Sequence, residues 1–273
     1  MTWKVVTMSV ESIGHEPLVL SSTHSGVVRL TLNRPDRFNP LSSEMIAALL
    51  TELDAIARDP LARVVVLAAE GKGFCAGHDL KEMRAHADDK EWSRRLFDDC
   101  SRMMMALTQL PQPVIARVHG IATAAGCQLV SMCDLAVAAD TARFALPGVN
   151  IGVFCSTPAV GVSRNIGRKR AMEMLLTGAL FDAQTALGWG LVNRVVPIDA
   201  LDDAIRSYTD VIVARSPATV RMGKAAFYAQ IDRPLAAAYD VASEAMACNL
   251  LLDDADEGMA AFLEKRAARW SGM

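Results

Sequence analysis

The chain has 273 residues, of which 52% are hydrophobic and 22% charged, so a sizeable core can be buried and global disorder is excluded. Lys and Arg total 28 against 31 Asp and Glu, a balance that argues against a nucleic-acid or membrane-surface binder. No apolar stretch reaches the roughly 20 residues that span a bilayer. The first residues lack the apolar segment of a secretory signal, so we expect a cytoplasmic protein.

The cysteine and histidine patterns indicate neither disulfides nor a metal site. The six cysteines include no Cys-x-x-Cys pair, and the five histidines show no His-Glu-x-x-His spacing. Without a secretion signal, the cysteines are expected to be reduced thiols, mostly small core residues. We therefore expect no metal ion.

The first half of the chain alternates between strand-like and helix-like patterns. Apolar residues between 45 and 56 recur at helical spacing after Ser42, and the run 63–69 is almost wholly apolar, as in a buried strand. Further segments predict strands at 27–32, 113–118 and 135–138, and a helix from about 88 to 110. Repeated strand–turn–helix units imply an α/β core.

The second half of the chain differs in character. From about residue 157 it is Ala-rich and helical, with strand-like Val195-Val196 as the main interruption. We expect two regions, an α/β core over 1–200 and a C-terminal helical region over 201–273. The late helices carry apolar stripes that one core is unable to cover, which favours self-association.

Two turns made of small residues each follow a predicted strand. Gly71–Gly77 fits a loose G-x-G-x-x-A dinucleotide fingerprint, but no helical stripe begins where that fingerprint requires one. An NAD-dependent enzyme is therefore a minor hypothesis. Together with the turn over Gly120–Gly126, this segment could aim backbone N–H groups at one anionic oxygen, forming an oxyanion hole. The alternative is close strand–helix packing, which Gly and Ala also serve.

Further motifs lie in register along most of the chain, at 33–35 with 39–41, 73–82, 120–134, 144–147, 183–193 and 262–266. Together they resemble the enoyl-CoA hydratase/isomerase (crotonase) superfamily, from about residue 25 to the C-terminus. Residues 123–129 and 148–158 are most similar to the enoyl-CoA hydratase domain-containing protein 3 subgroup. The agreement over so many segments is far more specific than any single motif.

The resemblance implies an α/β fold, a crotonase-like spiral of β-β-α units with a C-terminal helical trimerisation region. It also implies an acyl-CoA thioester as ligand, with coenzyme A as part of the substrate and no separate cofactor. The expected assembly is a homotrimer or a dimer of trimers. The oxyanion-hole amides correspond to His78 and Ala125, and substrate contacts correspond to Ala76, Asp79, Leu80 and Lys265. For Lys265, a solvated helix face is an equally good interpretation.

The sequence departs from the family pattern at both catalytic carboxylates. Hydratases of this family use two glutamates as general base and general acid, and the corresponding residues here are Gln128 and Gly148. A carboxamide does not titrate usefully and glycine has no side chain, so neither holds or releases the proton. Glutamate at both positions is expected to raise hydration, unless Gly148 requires a positive φ.

Several other residues are candidate substitutes for the missing acid and base. Asp79 usually has a structural role in this family, and Asp134 more often anchors a buried strand. Glu82 and His86 are expected to be solvated helix residues. His119 precedes the second turn and is either a site residue or a satisfied buried histidine. Cys155 lacks an evident histidine partner, which argues against covalent catalysis.

Three functions remain open at this point. The leading hypothesis is an acyl-CoA-binding member of the family, nominally an enoyl-CoA hydratase, in which ordinary hydration is weak or absent. The alternatives are an enolate-stabilising decarboxylase and a non-catalytic CoA-ester-binding protein. Decarboxylation of a malonyl-type thioester needs the oxyanion hole but no base, because loss of CO2 itself generates the enolate.

Overall fold

A computed structural model describes residues 16–272 of the chain. The expectation about a signal segment concerns the first few residues, which lie outside this range. Within it the strands are β1 (Val19–His24), β2 (Val27–Leu32), β3 (Val64–Ala69), β4 (Val114–Val118), β5 (Ile121–Thr123), β6 (Leu135–Ala139), β7 (Arg143–Ala145), β8 (Phe181–Asp182) and β9 (Arg194–Val196).

The helices surround these strands and dominate the last third of the chain. They are α1 (Ser43–Arg58), α2 (Leu80–Ala85), α3 (Lys90–Gln109), α4 (Ala125–Met132), α5 (Ser156–Asn165), α6 (Arg168–Thr177), α7 (Ala183–Trp189), α8 (Leu201–Val213), α9 (Pro217–Gln230), α10 (Leu235–Leu250) and α11 (Asp253–Leu263). The predicted α/β class with helices at the C-terminal end is confirmed.

The strands form two sheets. The larger has the order β1-β2-β3-β4-β6-β9, in which β1 and β2 pair antiparallel and the remaining neighbours pair parallel. The smaller has the order β5-β7-β8. Because β3 lies inside the larger sheet and is covered on both faces, it is buried at every residue, as its unbroken apolar run predicts. One face packs on α1, α3 and α4, and the other is covered by α8.

Local sequence explains several of these elements. Helix α1 starts where the Ser42 side chain accepts a hydrogen bond from the Met45 amide, and its buried residues recur at helical spacing. The predicted strands at 27–32 and 63–69 are confirmed as β2 and β3. One turn was predicted over 120–126, but residues 121–123 form β5, because β7 supplies a partner that is distant in sequence.

The exposed face of α10 is unusual for a helix of this composition. Helix α10 has no buried residue, and Leu235, Tyr239 and Met246 are all more than half exposed. Within residues 16–272, no single helix is long and apolar enough to cross a membrane. Helices α10 and α11 taken together have the length and the apolar composition of such a span, but the chain bends by 73° between them. The boundary at residue 200 between the α/β core and the C-terminal helical region stays a prediction.

A buried ion pair attaches α9 to the core. The Lys224 ammonium lies 2.7 Å from the Asp134 carboxylate and donates to the carbonyls of Leu107 and Gln112. Asp134 also accepts from the Tyr228 hydroxyl and from the backbone amide of Val114, the first residue of β4. The expectation that Asp134 anchors a strand is confirmed.

We expect Lys224→Met to destabilise the fold by about 3 kcal/mol, because it leaves a largely buried carboxylate without its cation. The measurement is urea unfolding at one fixed protein concentration. Arg58→Met is the matched control, since the Arg58–Asp54 pair is mostly exposed and its loss costs less than about 1 kcal/mol. Equal effects of the two variants would contradict this role of Lys224.

Candidate active site

The two small-residue turns lie side by side in the structure. The amides of Phe74 and Cys75 both donate to the Ile121 carbonyl, and the Thr123 amide donates to the Cys75 carbonyl. These bonds pair Cys75 with Ala122 in a parallel bridge. They also occupy amides that a dinucleotide loop would direct at a pyrophosphate, which argues against NAD binding.

His78 lies three residues after Cys75, and Ala125 lies three residues after Ala122. The two residues therefore occupy corresponding positions beyond the bridge. The Leu41 amide donates to the Gly77 carbonyl, and the Asp79 amide donates to the Leu41 carbonyl. The His78 amide takes part in neither of these hydrogen bonds. Ala125 is the first residue of α4, where backbone amides have no intrahelical partner. Among residues 16–272, neither the His78 amide nor the Ala125 amide has a hydrogen-bond acceptor in the protein.

Glycine at position 77 allows the two turns to approach this closely. Gly77 has φ +92°, and a Cβ atom on it would lie 2.8 Å from the Ala124 Cβ and 3.2 Å from the Ala125 nitrogen. Ala124 itself has φ +50°, which is uncommon for a residue with a side chain. The local backbone strain is thus concentrated beside the two free amides.

The predicted substrate contacts Ala76 and Leu80 lie on either side of His78, and both are exposed. The Ala76 amide donates to the Phe38 carbonyl, and the Ala76 carbonyl accepts from the Thr123 hydroxyl. A ligand at Ala76 therefore meets a carbonyl with one lone pair free, because the amide is already engaged. The Leu80 side chain, 56% exposed, offers an apolar surface at the same edge.

Two nearby carboxylates have structural partners. Asp79 accepts from the Lys81 and Glu82 amides at the start of α2 and pairs with Arg37 at 2.7 Å. Glu82 accepts from the Ser43 amide at the start of α1, so it is not the solvated residue that the sequence predicted. Each carboxylate is therefore held in place by donors from the protein, which gives it a structural role.

The His78 ring packs edge-on against Phe97, with 5.3 Å between ring centroids. Its Nε2 is buried and has no hydrogen-bond partner among the described residues. Burial lowers the pKa of His78 to about 4, although Glu82 acts in the opposite direction. The ring is therefore neutral near pH 7.

Gln128 and Gly148, at the two positions where the resemblance implies glutamates in the hydratases of the family, are both buried. The Gln128 Oε1 has no partner within residues 16–272. A Cβ atom on Gly148 would overlap the Val153 carbonyl oxygen and lie 2.8 Å from the Cys155 sulfur. The Gly148 amide donates to that sulfur over 3.3 Å, so Cys155 fills the space next to Gly148.

The remaining candidates lie in different settings. Lys265 is exposed after α11, with φ +57°, and α11 packs chiefly on α9 and α10. The His119 Nε2 lies 2.9 Å from the Gly71 carbonyl oxygen, while its Nδ1 is buried without a partner among the described residues. His86 stacks on Trp92, with 4.2 Å between ring centroids. Burial raises the pKa of Cys155, which keeps its thiol protonated.

Sequence reasoning missed several contacts at this site. It did not predict the Phe97 contact with His78, the Arg37–Asp79 pair, or the position of Cys155 beside Gly148. Each joins residues from separate segments, and no spacing in the sequence signals them. The one signal in the sequence is the glycine at 148, a residue type that is compatible with close contact from a neighbouring segment.

Comparison with known proteins gives consistent results. The chain is 43% identical over 263 residues to enoyl-CoA hydratase domain-containing protein 3, mitochondrial, of Xenopus laevis, covering 96% of this chain and 89% of the relative. Among solved structures, an enoyl-CoA hydratase of Mycobacterium smegmatis has 57% identity and a TM-score of 0.92, covering 93% and 99% of the two chains. Human enoyl-CoA hydratase domain-containing protein 3 has 41% identity and a TM-score of 0.90, covering 93% and 100%.

The expectation of a cytoplasmic protein is contradicted by the vertebrate relatives, whose names place them in mitochondria. The reason for the error is physical. A missing apolar segment argues only against a secretory signal, whereas mitochondrial targeting segments are amphipathic and lack such a segment.

The family resemblance of the sequence is confirmed at both levels. The relatives named above include the predicted subgroup, and the fold agrees with its solved structure. The model of the enoyl-CoA hydratase/isomerase family matches residues 22–273, which is nearly the whole chain. The chain therefore belongs to the enoyl-CoA hydratase/isomerase family.

Proposed function

We propose that this chain binds acyl-CoA thioesters with the carbonyl oxygen between the backbone amides of His78 and Ala125. The observation that carries the proposal is that both amides, at adjoining turns, have no acceptor within the part of the chain that the structure describes. Donors fixed in place before the ligand arrives stabilise negative charge on that oxygen without reorganisation. Ala76, Leu80 and the neutral His78 ring border the same place.

The reaction proposed for this site is one that needs an enolate-stabilising hole and no paired carboxylates. Gln128 and Gly148 supply neither a general acid nor a general base, and Asp79 and Glu82 are held by structural donors. Decarboxylation of a malonyl-type thioester meets this requirement. In it, the C2–C3 bond breaks, CO2 leaves, and the electron pair forms the enolate that the two amides stabilise.

The experiment that tests this function is a screen of the purified protein against saturated, 2,3-unsaturated and malonyl-type CoA esters, recording binding and turnover separately. Release of CO2 from the malonyl-type ester alone supports the decarboxylase. Binding of several esters without turnover identifies a non-catalytic CoA-ester-binding protein. Failure to bind any ester would refute the proposal.

We expect Ala125→Pro to weaken acyl-CoA binding at least tenfold, because proline removes one of the two donors. Proline is tolerated at the first position of a helix, but it restricts the residue before it, and Ala124 already has φ +50°. Binding is measured by calorimetry, with a thermal melt as the check on folding.

Two matched variants separate the lost donor from other effects of this substitution. Arg168→Pro places proline at the first position of α6 after extended Gly167, and it should bind acyl-CoA like the wild type. His78→Ala keeps its backbone amide, so its effect on binding should be smaller than that of Ala125→Pro. Wild-type affinity in Ala125→Pro would contradict the placement of the carbonyl.

We also propose that copies of this chain associate through the C-terminal helices, as a homotrimer or a dimer of trimers. The support is α10, an apolar helix with no buried residue in one copy, whose exposure to water is costly. In such an assembly, Lys265 would reach the nucleotide phosphates of an acyl-CoA held by a neighbour. Sedimentation should show a species of three or six chains at micromolar concentration, and a stable monomer would contradict this.

A further inference from the structure

Helix α8 covers only part of one face of the larger sheet. Residues of β3, β4 and β6 form a buried cluster with this helix on that face. Strand β2 lies next to β3, and β1 forms the edge of the sheet beyond it. Among residues 16–272, neither β1 nor β2 contributes a buried residue to the cluster. This edge of the face is therefore open, and a cavity of about 880 Å³ lies there beside α8.

The strand register places two residues of β2 in the floor of this cavity. Val27 pairs with Val64, and Arg29 pairs with Val66. Paired residues of neighbouring strands project from the same face of a sheet, so all four side chains lie on the α8 side. Val66 is buried and also lines the cavity. The floor thus combines apolar side chains with one guanidinium.

Helix α8 forms the wall of the cavity with two lines of side chains. Residues four apart lie on the same side of a helix. One line is buried or half-buried and mainly apolar, and the other is charged and lies further out. The first line consists of Ile205, Thr209 and Val213, and the second of Asp202, Arg206 and Asp210. The cavity therefore has an apolar interior and a charged rim.

The Arg29 guanidinium in the floor is only weakly paired. Asp202 accepts hydrogen bonds of 2.7 and 2.8 Å from Arg117, one on each carboxylate oxygen. Arg29 reaches the same carboxylate only over 3.4 Å, and its side chain is 28% exposed. A guanidinium has five N–H donors, so most of those on Arg29 have no acceptor within the described part of the chain. Two cations share one carboxylate here, which leaves one positive charge without a counter-ion.

The other charges of the rim leave this excess at Arg29. Arg206 is paired with Asp203, which does not line the cavity. Asp210 forms no ion pair among residues 16–272 and is exposed. Interactions between exposed charges are screened by water and salt, so Asp210 offsets little of the charge on Arg29. The positive end of the cavity therefore lies at Arg29, beside the first turn of α8.

We propose that this cavity binds a fatty carboxylate, with the carboxylate group on Arg29 and the hydrocarbon chain along the apolar line of α8. A guanidinium binds a carboxylate through two parallel N–H donors, and one unneutralised cation matches a monoanion better than a dianion. The volume lies within the range of about 300–1,000 Å³ that is usual for small-molecule sites with mainly apolar linings. No lining residue belongs to 71–80 or 120–128, so this site is separate from the proposed thioester site.

The test is calorimetric titration of the purified full chain at pH 8 with four ligands, each below the concentration at which it aggregates. The ligands are decanoate, 1-decanol, butanoate and decyl phosphate. We expect decanoate to bind at least tenfold more tightly than decanol, which lacks the charge, and than butanoate, which lacks the long chain. Decyl phosphate, which carries a second negative charge, should bind more weakly than decanoate.

Three variants test which residues hold the ligand, with a thermal melt of each as the check on folding. Arg29→Met keeps an unbranched side chain without the guanidinium, so it should weaken decanoate binding at least tenfold and leave decanol binding unchanged. Val213→Asp puts a like charge at the far end of the apolar line and should also weaken decanoate binding. Arg194→Met is the matched control and should bind decanoate like the wild type. Arg194 lies near the other edge of the sheet, on the Tyr208 ring.

Each other outcome overturns the proposal at a defined point. Equal affinities for decanoate and decanol, or equal decanoate affinities of the wild type and Arg29→Met, would refute the role of Arg29. Tighter binding of decyl phosphate would refute the assignment to a carboxylate. Saturating butyryl-CoA should leave decanoate binding unchanged, and displacement of decanoate by it would place the ligand in the thioester site instead. Because this proposal does not depend on acyl-CoA binding, it stands or falls separately from the proposed function.

Discussion

Hydration of crotonyl-CoA by the wild-type protein should be at least about 10⁴-fold slower than in a relative with both glutamates. General acid and general base each contribute roughly 10²- to 10⁴-fold, and the two positions where the resemblance implies them are Gln128 and Gly148. In the binding mode proposed above, the His78 and Ala125 amides would still polarise the carbonyl, which would leave residual turnover above the solvent rate. The measurement is loss of the conjugated enoyl absorbance.

A relative that carries both glutamates, assayed beside this protein, is the control for hydration. Gln128→Glu is the informative single variant, because it adds a carboxylate at a position that already accommodates a side chain of the same size. It should raise the hydration rate, but only by the contribution of one group. Wild-type turnover equal to that of the control would contradict the prediction and would indicate that His119 or Asp79 acts as the base.

Gly148→Ala should destabilise the protein by about 2 kcal/mol or more, and Gly148→Glu should prevent normal folding of the loop. A Cβ atom at this position meets the Val153 carbonyl oxygen and the Cys155 sulfur, and the carbonyl belongs to backbone, which moves at greater cost than the end of a flexible side chain. Overpacking of this kind costs typically 1–3 kcal/mol. Unfolding in urea gives the free energy, and Cα shifts in a crystal structure would locate the strain.

Gly188→Ala is the matched control for this substitution. Gly188 lies in α7 with open space around its Cα and an ordinary φ, so alanine there should stabilise by about 0.5–1 kcal/mol. If Gly148→Ala were as stable as Gly188→Ala, the space beside Gly148 would be larger than the structure has it. In that case, glutamate at both catalytic positions would again be a reasonable way to restore hydration.

The lack of space for a Cβ atom at Gly148 corrects one expectation from the sequence. The sequence left Gly148→Glu open unless the glycine required a positive φ. Gly148 is not among the residues with positive φ, yet it excludes a side chain for a steric reason, the loop that returns through Val153 and Cys155. The backbone at Val153 and the thiol of Cys155 thus leave no room for a carboxylate side chain at position 148.

The sequence by itself determined the elements whose stability is local, together with the residue types at positions 128 and 148. The helical stripe after Ser42 and the apolar run of β3 each specify one structure, because hydrophobic period and capping act within a few residues. The absence of carboxylates at 128 and 148 is likewise visible in the sequence.

Only the tertiary structure decided which residues from distant segments of the chain are in contact. The bridge between Cys75 and Ala122, the capture of Glu82 by the Ser43 amide, and the sulfur of Cys155 beside Gly148 all join segments that are distant along the chain. Such contacts depend on how packed layers bring backbone atoms together. Periodicity and spacing along one segment carry no information about them, because the space left at a residue is set by its neighbours in the fold.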